Sequence, residues 1–217
     1  PIVVCGFGVS AATAAGTVAL VGDSHAEHWR GAVEVLAHAL HWHALSITRP
    51  SCPFSEGAVK LPEPRRKQCR EWTRGVLRWL TGHPEVGTVF VSGHPAPVEV
   101  APGQSQLTAQ VEGYVSAWKA VAASIKHIIV IHDISAARTD TLACVERAIA
   151  KLEPAGLICA IPRSAAVRRD VEVVAAERIR SSRVQIADLT HFFCDSRRCY
   201  PVVGGALVYK DAGHLNS

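Results

Sequence analysis

The 217-residue sequence has no methionine, a single asparagine (Asn216) and only 6% aromatic residues. It has no apolar run near the ~20 residues needed to cross a bilayer, no signal-peptide pattern, no internal repeat and no low-complexity segment. It also has no Cys-x-x-Cys, so the finger-type spacing of a structural zinc site is absent. The hydrophobic share of 48% excludes a disordered chain, and the length suits one α/β domain, read here as residues 1–217. Starting at Pro1 with no methionine, the sequence reads as a piece of a longer protein. The net charge of +4 and pI of 8.8 suggest an acidic partner. The clusters Arg65-Arg66-Lys67, Arg168-Arg169 and Arg197-Arg198 are short and lack interleaved aromatics, which argues for solvated surface and against nucleic acid.

The pattern of apolar positions alternates between strands and helices. Strands are predicted at Thr17–Val21, His43–Thr48, Thr88–Val91, His127–His132 and Val184–Leu189. Helices are predicted at Ala26–Leu40, with Trp29, Val33, Leu36 and Leu40 at helical spacing, then at Gln68–Leu80, Leu107–Ser124, Asp140–Lys151 and Arg163–Ser181. Such alternation predicts a three-layer α/β/α fold around a mainly parallel, five-stranded sheet, with ligands bound beyond the carboxyl ends of the strands.

Two short blocks carry chemistry. Gly22-Asp23-Ser24-His25 follows the first of these strands and opens a helix, and Asp211-Ala212-Gly213-His214 lies at the other end of the chain. Taken alone, Ser24 reads equally well as a helix N-cap, a position that Ser and Asp favour. The second block shifts the balance. On a loop, Asp-x-x-His lets the carboxylate hold one imidazole nitrogen and fix the tautomer, which turns the other nitrogen toward a serine. Ser24 as nucleophile, His214 as base and Asp211 as its orienting partner then form a complete set.

These blocks resemble the SGNH (GDSL-type) esterase and acyltransferase superfamily. More narrowly, Val18 to Ala26, Ser51-Cys52-Pro53 and the ending Phe193-Cys194 … Cys199-Tyr200-Pro201 … Gly204-Gly205 … Val208 to Leu215 resemble one branch of it. That branch is the extracytoplasmic SGNH domain fused to membrane-embedded acyltransferase family 3 proteins. The resemblance runs from about Cys5 to Asn216. It implies catalysis by Ser24, Asp211 and His214 without a cofactor, and transfer of an acyl group, most specifically acetyl, to a hydroxyl of a cell-envelope glycan or glycolipid. It also implies an upstream membrane module that supplies the acyl group and tethers this domain on the outer side of the membrane. The same triad with water as acceptor is a carbohydrate esterase, and a domain without catalysis is a glycan-binding one.

The oxyanion hole departs from the superfamily pattern. A Gly-x-Asn is usual after the third parallel strand, whereas this chain has Ser92-Gly93-His94-Pro95. Loss of one oxyanion donor typically costs ~10²–10³ in turnover. Asp23, Ser51, Ser92, Gly93 and His94 are therefore the candidates for oxyanion or substrate contacts, together with backbone N–H groups at the start of the helix that Ser24 opens.

Seven cysteines point to an oxidising compartment. Neighbours across a loop predict Cys52–Cys69, Cys144–Cys159 and Cys194–Cys199, leaving Cys5 with a partner upstream of Pro1. The histidines that crowd around Trp42 (His38, His41 and His43) have no nearby carboxylate pair and read as helix-end and strand residues, so no metal site is assigned. His25 is expected to pack beside the nucleophile. Trp29, Trp42, Trp72, Trp79 and Trp118 are expected in the core or against loops.

Overall fold

A computed structural model of the chain describes residues 2–134 and 136–216. In chain order the elements are β1 (Cys5–Gly8), β2 (Gly16–Gly22), α1 (Ser24–Glu27), α2 (Arg30–Ala39), β3 (Trp42–Thr48), α3 (Arg65–Gly82), β4 (Val86–Ser92), α4 (Gln106–Lys119) and β5 (His127–Ile131). They continue with α5 (Thr141–Ala150), α6 (Ala155–Ile158), β6 (Ile161–Pro162), α7 (Arg163–Ala166), α8 (Val171–Ile179), β7 (Val184–Ala187), β8 (Arg198–Cys199), β9 (Val202–Val203) and β10 (Ala206–Leu207). None of the described helices is long and apolar enough to cross a membrane.

Two compact units are distinguishable: residues 1–131 with 170–187, and residues 132–169 with 188–217. The first holds the predicted α/β/α architecture. Its sheet has the order β1-β3-β2-β4-β5-β7, with every pair parallel except β1 against β3. The sheet thus has six strands where five were expected. The added strand, Cys5-Gly6-Phe7-Gly8, carries two glycines and only one large apolar residue, so no strand pattern is visible locally. Its place comes from pairing with the edge of β3, where Cys5 faces Ser46 and Gly8 faces His43.

One face of the sheet presents Ala19, Val21, Ile47, Val89, Val91, Ile128 and Val130. Against them pack Trp72, Val76 and Leu80 of α3, Tyr114, Ala117 and Trp118 of α4, and Ala175 of α8. Trp118 is only 1% exposed and, with Phe54, is among the largest fully buried side chains. Burying a side chain of this class stabilises by roughly 1.5–3 kcal/mol. Trp29 and Trp72 are buried too, as expected, while Trp42 and Trp79 are half-buried. α2 buries Val33 and Ala37, and Ala37 lies so close to Gly8 that a Cβ there would meet it at 2.9 Å.

Helix boundaries moved where the local chemistry overrode periodicity. The helix predicted from Ala26 to Leu40 is two, a single turn at Ser24–Glu27 and then α2. The helix predicted over Arg163–Ser181 is also two, because Asp170 caps a fresh N-terminus by accepting from the N–H groups of Glu172 (2.7 Å) and Val173 (3.4 Å). The three predicted disulfides are present: Cys52–Cys69 in the first unit, Cys144–Cys159 and Cys194–Cys199 in the second. Cys5 is an exposed free thiol.

Candidate functional site

In the first unit, registry between parallel strands sets the site. Gly22 pairs with Thr48 on one side and with Ser92 on the other, so β2, β3 and β4 end at the same level. Ser24, Ser51 and Gly93 therefore leave the same edge of the sheet, as the alternation predicted. The strands approach very closely at Gly22. Its φ is +153°, and a Cβ there would sit 2.0 Å from the Ser92 carbonyl oxygen. Only glycine meets both demands.

Asp23 is buried, 2% exposed, and it organises the turn. Its Oδ1 accepts from the His25 N–H at 2.8 Å and its Oδ2 from the His94 N–H at 3.0 Å. Its carbonyl oxygen accepts from the N–H groups of Ala26 and Glu27, both at 3.1 Å. Asp23 is thus the N-cap, and Ser24 is the first residue of the turn. The donors expected to stay open at the helix start are engaged by Asp23, and the His94 N–H is engaged by it as well. The single-turn length of α1 also weakens the helix-dipole argument, since the dipole grows with aligned peptides.

The neighbourhood of this turn is richer than the sequence suggested. Glu172, 2% exposed, sits beside Gly93, where a Cβ would meet its Oε1 at 2.9 Å and Asp23 Oδ2 at 3.6 Å. Burial pushes the phenol of Tyr114 well above its ordinary pKa, and the carboxylates of Glu172, Asp23 and Asp170 add to the rise. Neither the Asp170 cap, inside the helix expected over Arg163–Ser181, nor the placement of Glu172 near Asp23 was readable in the sequence. His25 is buried, with its ring 4.8 Å from that of His94 and 5.2 Å from that of His28. Ser92 is 1% exposed, so its side chain faces the interior, whereas His94 is exposed and Ser51 is exposed with a φ of +63°. The His43 imidazole bonds the Val9 carbonyl oxygen at 2.8 Å, a structural use. Glu27 Oε2 accepts from Ser46 (2.9 Å) and Thr48 (2.7 Å), tying the serine turn to β3.

The second unit carries the acid and base. The N–H groups of Gly213 and His214 donate to Asp211 Oδ1 at 2.8 and 2.9 Å, and His214 Nδ1 lies 2.9 and 3.0 Å from the two carboxylate oxygens. A carboxylate in that position fixes the proton on Nδ1 and leaves the lone pair on Nε2. Partial burial pushes the Asp211 carboxyl up. The N–H groups of Gly213 and His214 and the His214 ring outweigh that and hold it below the ordinary aspartate range. The turn itself is pinned by a bridge between Tyr209 and Leu215 and by the Ala137 N–H donating to the Ala212 carbonyl at 3.0 Å.

Comparison with known proteins adds three findings. A family model described as "SGNH domain (fused to AT3 domains)" matches residues 3–217. No curated protein matches the sequence. Among solved structures, the periplasmic domain of a lipopolysaccharide acetyltransferase from Salmonella ser. Paratyphi A superposes with a TM-score of 0.65 at 11% identity, covering 96% of this chain and 84% of that one. At that identity the likeness shows a shared fold.

Proposed function

The chain belongs to the family of SGNH domains fused to AT3 domains, and from that premise we propose that it is an O-acyltransferase domain, most specifically an O-acetyltransferase, working through an acyl-serine. The observation that carries the reading is the Asp211 carboxylate held on His214 Nδ1 at 2.9 and 3.0 Å. A histidine so oriented serves as a base for a serine, and the sequence supplies Ser24 at the end of β2.

In the proposed reaction, Ser24 Oγ attacks the carbonyl of the acyl donor while His214 Nε2 takes its proton. The tetrahedral intermediate collapses, the donor's leaving group departs with that proton, and the acyl group stays on Ser24. An acceptor hydroxyl then gives its proton to His214 Nε2, attacks the acyl-serine and leaves as the ester, and Ser24 recovers its proton. Asp211 stabilises the imidazolium in both halves. We assign the oxyanion to backbone N–H groups at Ser24 and Gly93, which follow the paired ends of β2 and β4.

The acceptor in this reading is a hydroxyl of a cell-envelope glycan or glycolipid, and the donor reaches the domain through a fused AT3 module. The three disulfides support an oxidising, extracytoplasmic location, as does the periplasmic origin of the structural neighbour. Water in place of the acceptor gives an esterase, a reading favoured by the 52% exposure of the Asp211 side chain. Product analysis separates them: with an activated acetyl ester and a series of sugars, acyl transfer predicts acetylated sugar that rises with sugar concentration. Free acetate alone, unaffected by sugar, would assign the domain as an esterase. Neither product would assign it as a glycan-binding domain.

A further inference from the structure

We propose that the cavity lined by Arg49, Pro50, Cys52, Arg65, Gln68 and Cys69 is a subsite for an anionic group, carboxylate or phosphate, on the acceptor glycan. It encloses about 300 Å³, room for one such group and part of the sugar that bears it. The notion of a glycan acceptor rests on the acyl-transfer reading; the anion specificity rests on the cavity itself.

The position follows from the sheet. Arg49 is the first residue beyond β3, and its N–H donates to the Gly22 carbonyl oxygen at 3.0 Å, two residues before Ser24. One wall of the cavity therefore begins at the carboxyl edge of the sheet, where β2 also ends and leads into the serine turn. Its far wall is one face of α3. Arg65, Gln68 and Cys69 fall at i, i+3 and i+4, so they project on the same side of the helix. The Cys52–Cys69 disulfide fastens that wall to the loop after β3, so the two sides are held together covalently.

The chemistry follows from charge. Two guanidinium groups line the cavity and no carboxylate does. Arg49 Nη2 donates to Gln68 Oε1 at 3.0 Å, a neutral partner that orients the guanidinium without neutralising it. Among the described residues, neither Arg49 nor Arg65 has a carboxylate within ion-pair distance. The surrounding charges are already matched. Glu27, which meets β3 at Thr48, is engaged by Ser46, Thr48 and Arg30, and Arg66, next to Arg65, is paired with Glu63 at 2.9 Å and Glu99 at 3.2 Å. Unmatched guanidiniums facing a common concavity suit the planar, bidentate geometry of carboxylate or phosphate. A neutral sugar leaves both charges unanswered.

The test is binding, followed by amide chemical shifts and calorimetry on the 217-residue chain, with glucose, glucuronate, glucose 6-phosphate and inorganic phosphate as probes. The expected result is that one or both charged sugars shift the amides at 49–52 and 65–69 while glucose does not. Arg49→Gln and Arg65→Gln should each weaken that binding about tenfold, and added salt should weaken it further. Preference for glucuronate or for glucose 6-phosphate identifies the anion as carboxylate or phosphate. Inorganic phosphate binding as tightly as the charged sugars, shifts elsewhere on the chain, equal binding of glucose, or indifference to both substitutions would each overturn the proposal. Arg65 is exposed, so its variant keeps the fold and gives a valid reading even if the Arg49 variant does not. Acylation of Ser24 without anion binding would refute the subsite alone, and anion binding without acylation would refute the acyl-transfer reading while leaving the cavity an anion site.

Discussion

Replacing Gly22 with alanine tests whether the close approach of β2 to β4 is what places the serine turn. The added Cβ would lie 2.0 Å from the Ser92 carbonyl oxygen and 2.8 Å from the Ala26 Cβ. Both distances are shorter than real Cβ contacts, and the nearer atom is backbone, which cannot rotate away. Overpacking in a dense interior costs roughly 1–3 kcal/mol. Holding a non-glycine residue at a φ of +153° adds roughly 1–3 kcal/mol more. A combined loss near 4 kcal/mol is a large share of the roughly 5–15 kcal/mol that holds a domain together. For a chain of this size it lowers Tm by about 8–16 °C. Gly31→Ala is the control, since no heavy atom lies within 4 Å of its added Cβ and its position in α2 favours alanine. There a gain of about 0.5 kcal/mol is expected. Thermal denaturation followed by circular dichroism measures both. A Gly22→Ala protein melting within 3 °C of wild type would refute the argument, because the strands would then have room that the structure denies them.

Two further outcomes follow from the second unit. Asp195 is held at about 2 by the Tyr200 hydroxyl, then by the N–H groups of Arg197 and Arg198. A carboxyl with a depressed pKa contributes stability that is present above its unfolded value of about 3.9 and is lost as pH falls through about 2. Tyr200→Phe should move the Asp195 titration upward, read by carboxyl carbon chemical shifts, so that the loss is smaller and is complete at a higher pH; an unmoved titration would assign the depression to the backbone donors alone. Replacing Cys144 and Cys159 with serine opens a loop with a sequence separation of 15. It should cost about 3 kcal/mol in the loop-entropy account, read as faster amide exchange across α5 and α6. Unchanged exchange there would mean that the packing of Val145, Ala148 and Ala155 holds these helices without the bond.

Much of the fold was legible because its main signals are local. The short apolar runs that became β2, β4 and β5 read as strands alternating with helical patterns, and the loop-closing cysteines paired with neighbours. The features that escaped are those set by partners distant in sequence. β1 is a strand because β3 offers it an edge, not because Cys5-Gly6-Phe7-Gly8 prefers one. The break between α1 and α2 is a tightened turn in which the Trp29 N–H donates to the Ala26 carbonyl oxygen at 3.0 Å, and no helix breaker marks it in the sequence. At the candidate site, Gly-Asp-Ser and Asp-x-x-His stood out because each is a short motif with a mechanical reason. Glu172 did not, since nothing near it in sequence says that it meets Gly93. The guanidinium-lined cavity was equally hidden: Arg49 and Arg65 come together only once the Cys52–Cys69 bond lays α3 against the loop after β3.

The most direct test of the acyl-transfer account is intact-protein mass spectrometry after brief exposure to an activated acetyl ester and an acid quench, comparing wild type with Ser24→Ala and His214→Ala. The account predicts one acetyl group on the wild-type chain, mapped by peptide analysis to Ser24, and none on either variant. An acetyl group on another residue, or the same adduct in Ser24→Ala, would contradict it.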